Sequence, residues 1–267
     1  MFWTRVISAI VGIPFILGLV YLGKVYFMIA MSILAILAMF ELRRMLHRMG
    51  RENSPTFLFV GAVLFPVLLY YQPTWLPAFT ALLVFSGAIA TLGQFPRLNF
   101  IDLAIHCLAI LYIGLGFAHF VLLRGLEQGM LLVIYGFVVI WCTDSGAYLV
   151  GRQIGKRPFF PSISPKKTWE GAIGGLIFGV LGAVAFCYIT ELYTVLNNKV
   201  LLLWLSPLLS CAGQMGDLFE SSIKRQARVK DSSRIIPGHG GILDRFDSSL
   251  WVIPLLYHCL MLAQLVF

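Results

Sequence analysis

Charge is what this chain has least of. Asp, Glu, Lys and Arg make up 12% of its 267 residues, roughly half the share of an ordinary soluble domain, so a soluble fold is excluded. Cysteine is also scarce. The five, Cys107, Cys142, Cys187, Cys211 and Cys259, lie in or at the edges of apolar segments without metal-ligand spacing. Neither a disulfide framework nor a zinc site is expected from them. No internal repeat or low-complexity tract is present. No small-residue cleavage site follows Val6–Val20, so that stretch reads as a retained helix rather than a signal peptide.

Apolar sequence fills the space that charge leaves. The chain is 59% hydrophobic, with a mean hydropathy of +0.87. Nine apolar segments are legible, at about 6–23, 25–42, 56–71, 75–93, 102–123, 128–150, 171–192, 200–220 and 249–267. Each approaches the length a bilayer demands. The fold expected is all-α: a polytopic integral membrane helical bundle of about nine transmembrane helices. Residues 1–123 would anchor and pack, and residues 124–267 would carry the chemistry on loops 151–170 and 220–248. With the N-terminus inside, the outer loops keep only Lys24, Arg124 and Lys199, which leaves 17 of the 20 basic residues (20 minus 3) inside. The positive-inside bias therefore places both large loops in the cytoplasm and the C-terminus outside. The net charge of +8 belongs beside anionic lipid and does not suggest nucleic acid.

The polar run Ser221–Asp247 is the most informative stretch. It holds six cations, Lys224, Arg225, Arg228, Lys230, Arg234 and Arg245, and three carboxylates, Asp231, Asp244 and Asp247. Clustered cations suit a polyanion such as a triphosphate or a lipid phosphate. Carboxylates among them suit Mg²⁺, which binds through one or two carboxylates plus substrate phosphates. Intramembrane carboxylates are costly, which singles out Asp144 and Asp217. On a continued helix Asp217, Glu220, Ser221, Lys224 and Arg228 form one stripe. Asp244 and Asp247, three apart, would share a helical face. Gly240 and Gly241 permit close approach of backbone amides to an anion, and His239 either donates to a phosphate or braces the loop. In the other loop, Ser164, Lys166, Lys167 and Thr168 precede a helix start, where amides favour anions. They serve equally as a positive-inside anchor. Gly151–Lys156 is one residue too short for a phosphate-binding P-loop, and Arg157 stands where a Ser or Thr must hold Mg²⁺. Gly171, Gly175 and Gly179, four apart, read as a helix-packing stripe.

The run Ser221-x-Ile223-Lys224-Arg225-x4-Lys230-Asp231-x-Ser233-x2-Ile236-Pro237-x-His239-Gly240-Gly241-Ile242-x-Asp244-Arg245-Phe246-Asp247 resembles, position for position, the signature of the phosphatidate cytidylyltransferases, or CDP-diacylglycerol synthases. Asp144 and the run Ser164–Gly171 resemble that family as well. The resemblance implies that phosphatidate and CTP give CDP-diacylglycerol and pyrophosphate in phospholipid biosynthesis, in a bacterial cytoplasmic (inner) membrane. It implies that Asp217, Asp244 and Asp247 hold Mg²⁺, with Lys224 beside them as a catalytic group. Asp144, Ser164, Lys166, Lys167, Ser221, Arg225, Lys230, Asp231, His239, Gly240, Gly241 and Arg245 would then bind substrate. The partners expected are CTP, phosphatidate and membrane lipid, with a homo-oligomer left open.

Two other functions share some of these features. A CTP-dependent lipid kinase needs the same metal and triphosphate, but also an alcohol acceptor and a base. An anion transporter with a basic cytoplasmic vestibule needs polar residues through the midplane of several spans and a repeated architecture. The one-sided distribution of ionisable residues disfavours it.

Overall fold

The computed structural model describes residues 16–52, 54–192, 201–233, 235–236 and 240–266, together with Gly12 and Pro14. Of the expected first span, 6–23, residues 6–11, 13 and 15 lie outside the described residues, as do Asn197, Lys199, Arg234 and His239. The described chain is almost wholly helical. Its helices are α1 Lys24–Arg48, α2 Pro55–Tyr71, α3 Leu76–Gly93, α4 Phe100–Gly125, α5 Gly129–Ile154, α6 Trp169–Thr190, α7 Leu201–Gln226, the short α8 Leu243–Phe246 and α9 Ser249–Val266. The long helices follow the apolar segments, with α1 and α7 running on past theirs to Arg48 and Gln226 and the short α8 lying in the polar run.

Local chemistry sets the helix ends. Pro55 opens α2, where its missing N–H costs nothing. Asn99 and Asp102 form a reciprocal capping box at the start of α4. A π-helical turn over Leu111–Leu115 interrupts α4 without ending it.

Among the described residues, five helical stretches are long and apolar enough to cross a membrane: Lys24–Arg48, Pro73–Gly93, Phe100–Gly125, Gly129–Ile154 and Trp169–Thr190. Two shorter apolar helices, Pro55–Tyr71 and Ser249–Ala263, join them. The helix expected as the eighth span, α7, carries Gln214 and Asp217 within its apolar stretch.

The all-α architecture holds, with one short β element in the loop after α5. Pro158–Phe160 (β1) and Ser164–Thr168 (β2) form an antiparallel hairpin that pairs Pro158 with Thr168 and Phe160 with Ser164. Phe159 packs edge-on against Trp169, with ring centroids 4.4 Å apart, and fastens the hairpin to the start of α6.

The chain divides into two compact units, and neither is continuous in sequence. The first comprises Met1–Gly125 with Ile223–Arg245, and the second Leu126–Ser222 with Phe246–Phe267. Most of the signature loop, expected with the C-terminal region, thus packs with the N-terminal helices.

Candidate functional site

In the second unit, glycines bring α5 and α6 together. A Cβ at Gly175 would stand 2.8 Å from the Thr143 carbonyl oxygen, and one at Gly171 2.9 Å from that of Ala147. Only hydrogen fits there, which bears out the packing stripe. Thr143 Oγ1 donates to Ser210 Oγ at 2.8 Å, tying α5 to α7 through a buried bond. Thr168 caps α6 by accepting the Gly171 N–H at 3.1 Å. Glu170 accepts the N–H groups of Lys156 and Arg157 at 3.0 and 3.2 Å, bracing the hairpin.

These elements surround a cavity of about 480 Å³ lined by Asp144, Arg152, Lys166, Lys167, Gln214 and Asp217 among others. Lys167 Nζ lies 2.7 Å from Asp217 Oδ2, with both side chains about one-third exposed. Ser221 Oγ donates to Asp217 Oδ1 at 3.3 Å, the contact expected of residues four apart on a helix. The cavity therefore offers cations for phosphate oxygens and carboxylates for a hard cation. Ser164 sits in β2. Asp247 accepts the N–H of Ser248 at 2.6 Å, and its carbonyl oxygen packs over Gly216.

In the first unit, the signature loop closes around two carboxylates. Glu41, on α1, is fully buried. Its Oε1 accepts Ser233 Oγ at 2.6 Å and Ile242 N–H at 2.9 Å. Its Oε2 accepts Ser232 Oγ and Leu243 N–H, each at 2.8 Å. Asp244 is the second carboxylate. Its Oδ1 accepts Lys224 Nζ at 2.7 Å, and its Oδ2 accepts Ser232 N–H, Ser232 Oγ and Gly241 N–H at 2.8–2.9 Å. Burial pushes the Asp244 carboxyl up. The bonds from Lys224, Gly241 and Ser232 outweigh it and hold the group below the usual aspartate range.

Gly240 adopts φ 83, the left-handed region that glycine tolerates, and its carbonyl accepts the Ile236 N–H at 2.9 Å. The anion that the Gly241 amide meets is the protein's own Asp244. Lys224, expected on a substrate phosphate, likewise meets Asp244, with its side chain 11% exposed. The helical stripe ends sooner than expected: α7 stops at Gln226, and Arg228 lies beyond it at φ 56. Arg225 Nη1 donates to the Val229 carbonyl at 3.3 Å, and Arg245 is exposed. Lys230 and Asp231 line a separate cavity with Arg44 and Arg48.

In neither unit do three His, Cys, Asp or Glu side chains among the described residues gather as a metal site. Asp144 and Asp217 share a cavity wall, so a hard cation there would draw its remaining ligands from phosphates, as Mg²⁺ commonly does. Sequence reading missed Glu41, Ser232, Gln214, Arg44 and Arg48. For Glu41 a signal existed: a carboxylate within the apolar segment 25–42, the criterion that singled out Asp144.

The model of the cytidylyltransferase family matches residues 3–263. A phosphatidate cytidylyltransferase of Bacillus subtilis (strain 168) is 38% identical, the alignment covering 97% of each chain. Relatives of the same name from Staphylococcus aureus (strain COL) and Staphylococcus haemolyticus are 36% identical over 94% of this chain and 96% of theirs.

Proposed function

The chain belongs to the cytidylyltransferase family, and we propose that it transfers the cytidylyl group of CTP to phosphatidate, giving CDP-diacylglycerol and pyrophosphate. A phosphate oxygen of phosphatidate attacks the α-phosphorus of CTP. The new P–O bond forms as the bond to the oxygen bridging the α- and β-phosphates breaks, and pyrophosphate departs with that electron pair. The attacking oxygen is already anionic, so no strong general base is needed. The protein must instead offset repulsion between two polyanions and stabilise charge on the leaving group.

The cavity of the second unit supports this reading, because Lys166, Lys167 and Arg152 stand there beside Asp144 and Asp217. The cations would bind and orient phosphates, and the protein walls would exclude water. Mg²⁺ would supply further charge stabilisation at the phosphates when bound. Asp217 and Asp144 fit it as cavity carboxylates, and Asp247 of the same unit is the further ligand expected from the sequence. Asp244 fits it less well, since its oxygens accept four hydrogen bonds.

About nine spans, an inside N-terminus, an outside C-terminus and a cytoplasm-facing site in a bacterial inner membrane complete the proposal. Loop charge and the cytosolic location of CTP support it. The deciding experiment supplies purified protein with labelled CTP and phosphatidate. Pyrophosphate release supports the transferase. CDP release would indicate a lipid kinase, and neither product a transporter.

A further inference from the structure

We propose that Phe159 is the platform on which the base of the donor nucleotide stacks, a proposal that rests on CTP binding in the cavity of the second unit. Phe159 lines that cavity together with Lys166, Lys167 and Asp217. In the hairpin Pro158 pairs with Thr168 and Phe160 with Ser164, so Phe159 stands across from Pro165, Lys166 and Lys167. Residues opposite each other on paired strands have Cβ atoms about 5 Å apart. A ligand whose phosphates meet the two lysines can therefore lay its base against this ring.

The ring is held without help from a ligand. It packs edge-on with Trp169 and Phe160, with centroids 4.4 and 4.7 Å apart, and such pairs have preferred geometries that fix orientation. The strand that carries it is fastened to α6 as well. Trp169 N–H donates to the Arg157 carbonyl at 2.9 Å, and Glu170 accepts the N–H groups of Lys156 and Arg157. The platform and the two lysines thus belong to one braced hairpin.

Position selects the base over the lipid. The hairpin lies between the ends of two candidate spans, Gly129–Ile154 and Trp169–Thr190, so Phe159 sits on the loop side of the cavity, where a water-soluble nucleotide arrives. Acyl chains belong at the depth of the spans. Chemistry agrees. The cations and carboxylates of the cavity answer phosphates and a hard cation, and a base needs an apolar face besides. Stacking uses the π-face that every base has. Phe159 therefore favours a nucleoside triphosphate over inorganic triphosphate, without choosing among bases.

The test uses the full-length chain in detergent micelles, with calorimetric titration of CTP, inorganic triphosphate and dioctanoyl phosphatidate. In F159A, CTP affinity should fall about tenfold or more, as expected for a lost base–aromatic stack. Affinity for inorganic triphosphate and for phosphatidate should stay as in the wild type. F159W should restore CTP binding, and F159L, apolar but without a π-face, only part of it. Should F159A not fold, F159L carries the same reading. Wild-type CTP affinity in the folded variant overturns the platform. Equal losses for CTP and triphosphate overturn it too, because they mark a hairpin that has moved its lysines. A loss confined to phosphatidate gives the ring to the lipid instead. A wild-type protein that binds CTP but releases no pyrophosphate with phosphatidate would sink the transferase reading, and the titrations would still decide the platform.

Discussion

Glu41 Oε2 accepts the backbone N–H of Leu243 at 2.8 Å, across 202 residues of chain. With Ile242, Ser232 and Ser233 it completes four bonds to one buried carboxylate. Gly241 carries no Cβ because Ser232 Oγ and the Glu41 oxygens occupy that space. The loop is thus shaped around α1 rather than around its own sequence neighbours.

Replacing Glu41 by Gln keeps one acceptor and turns an NH₂ toward donors. Leaving buried donors unmet costs about 1–3 kcal/mol, so E41Q should destabilise the loop by about that amount. Hydrogen exchange at the Ile242 and Leu243 amides should accelerate. Glu52→Gln is the control, since its side chain is 52% exposed, and it should stay within about 0.5 kcal/mol of wild type. Unchanged exchange in E41Q would count against the anchoring role.

Lys224 and Asp244 form a buried pair. Removing either partner leaves a buried charge or its donors unanswered, and breaking such a pair costs about 3–5 kcal/mol. K224A and D244N should each lower the melting temperature. The double variant should lose less than the sum, with a coupling of about 0.5–3 kcal/mol. Arg225 is exposed, so R225A should melt like wild type while its turnover falls about 10²-fold. Additive melting losses, or wild-type turnover in R225A, would contradict these assignments.

The pH response follows from the lowered Asp244 carboxyl. A depressed folded-state value means that the ionised form is favoured by folding. Its stabilisation is fully present above the ordinary aspartate value of about 3.9 and is lost as pH falls through the lower, folded one. Gly241 amide protection should therefore persist through mild acid and fade below the ordinary range. In D244N this dependence should disappear. Protection that fades already between pH 5 and pH 7 in the wild-type protein would be inconsistent with the pair.

Asp217 and Lys167 pair at 2.7 Å in a partly open cavity, where solvent screening keeps the stabilising effect of the pair small. D217N and K167A should therefore fold normally and lose about 10²–10³ in turnover, the usual cost of removing one electrostatic stabiliser. Near-normal turnover would remove the cavity from the mechanism.

Orientation is open to thiol labelling in intact cells. A cysteine at Ser162, in the loop between β1 and β2, should resist a membrane-impermeant reagent if that loop faces the cytoplasm. One at Asn197 should react. The reverse pattern would overturn both the topology and the use of cytosolic CTP.

The helices, the membrane class and the family were legible in the chain itself. An apolar run of about 18 residues is a local property, and the spaced signature from Ser221 to Asp247 is read without coordinates. Asp144 and Asp217 were legible too, because a carboxylate in an apolar run is conspicuous wherever it points. The division into units, the hairpin's pairing and the partners of Lys224, Gly241 and Glu41 were decided only by the tertiary structure. A carboxylate or an ammonium group carries no mark of which opposite charge it will meet. Lys224 has the same chemistry whether it faces a phosphate or Asp244, and only the packing that brings Asp244 to 2.7 Å decides between them.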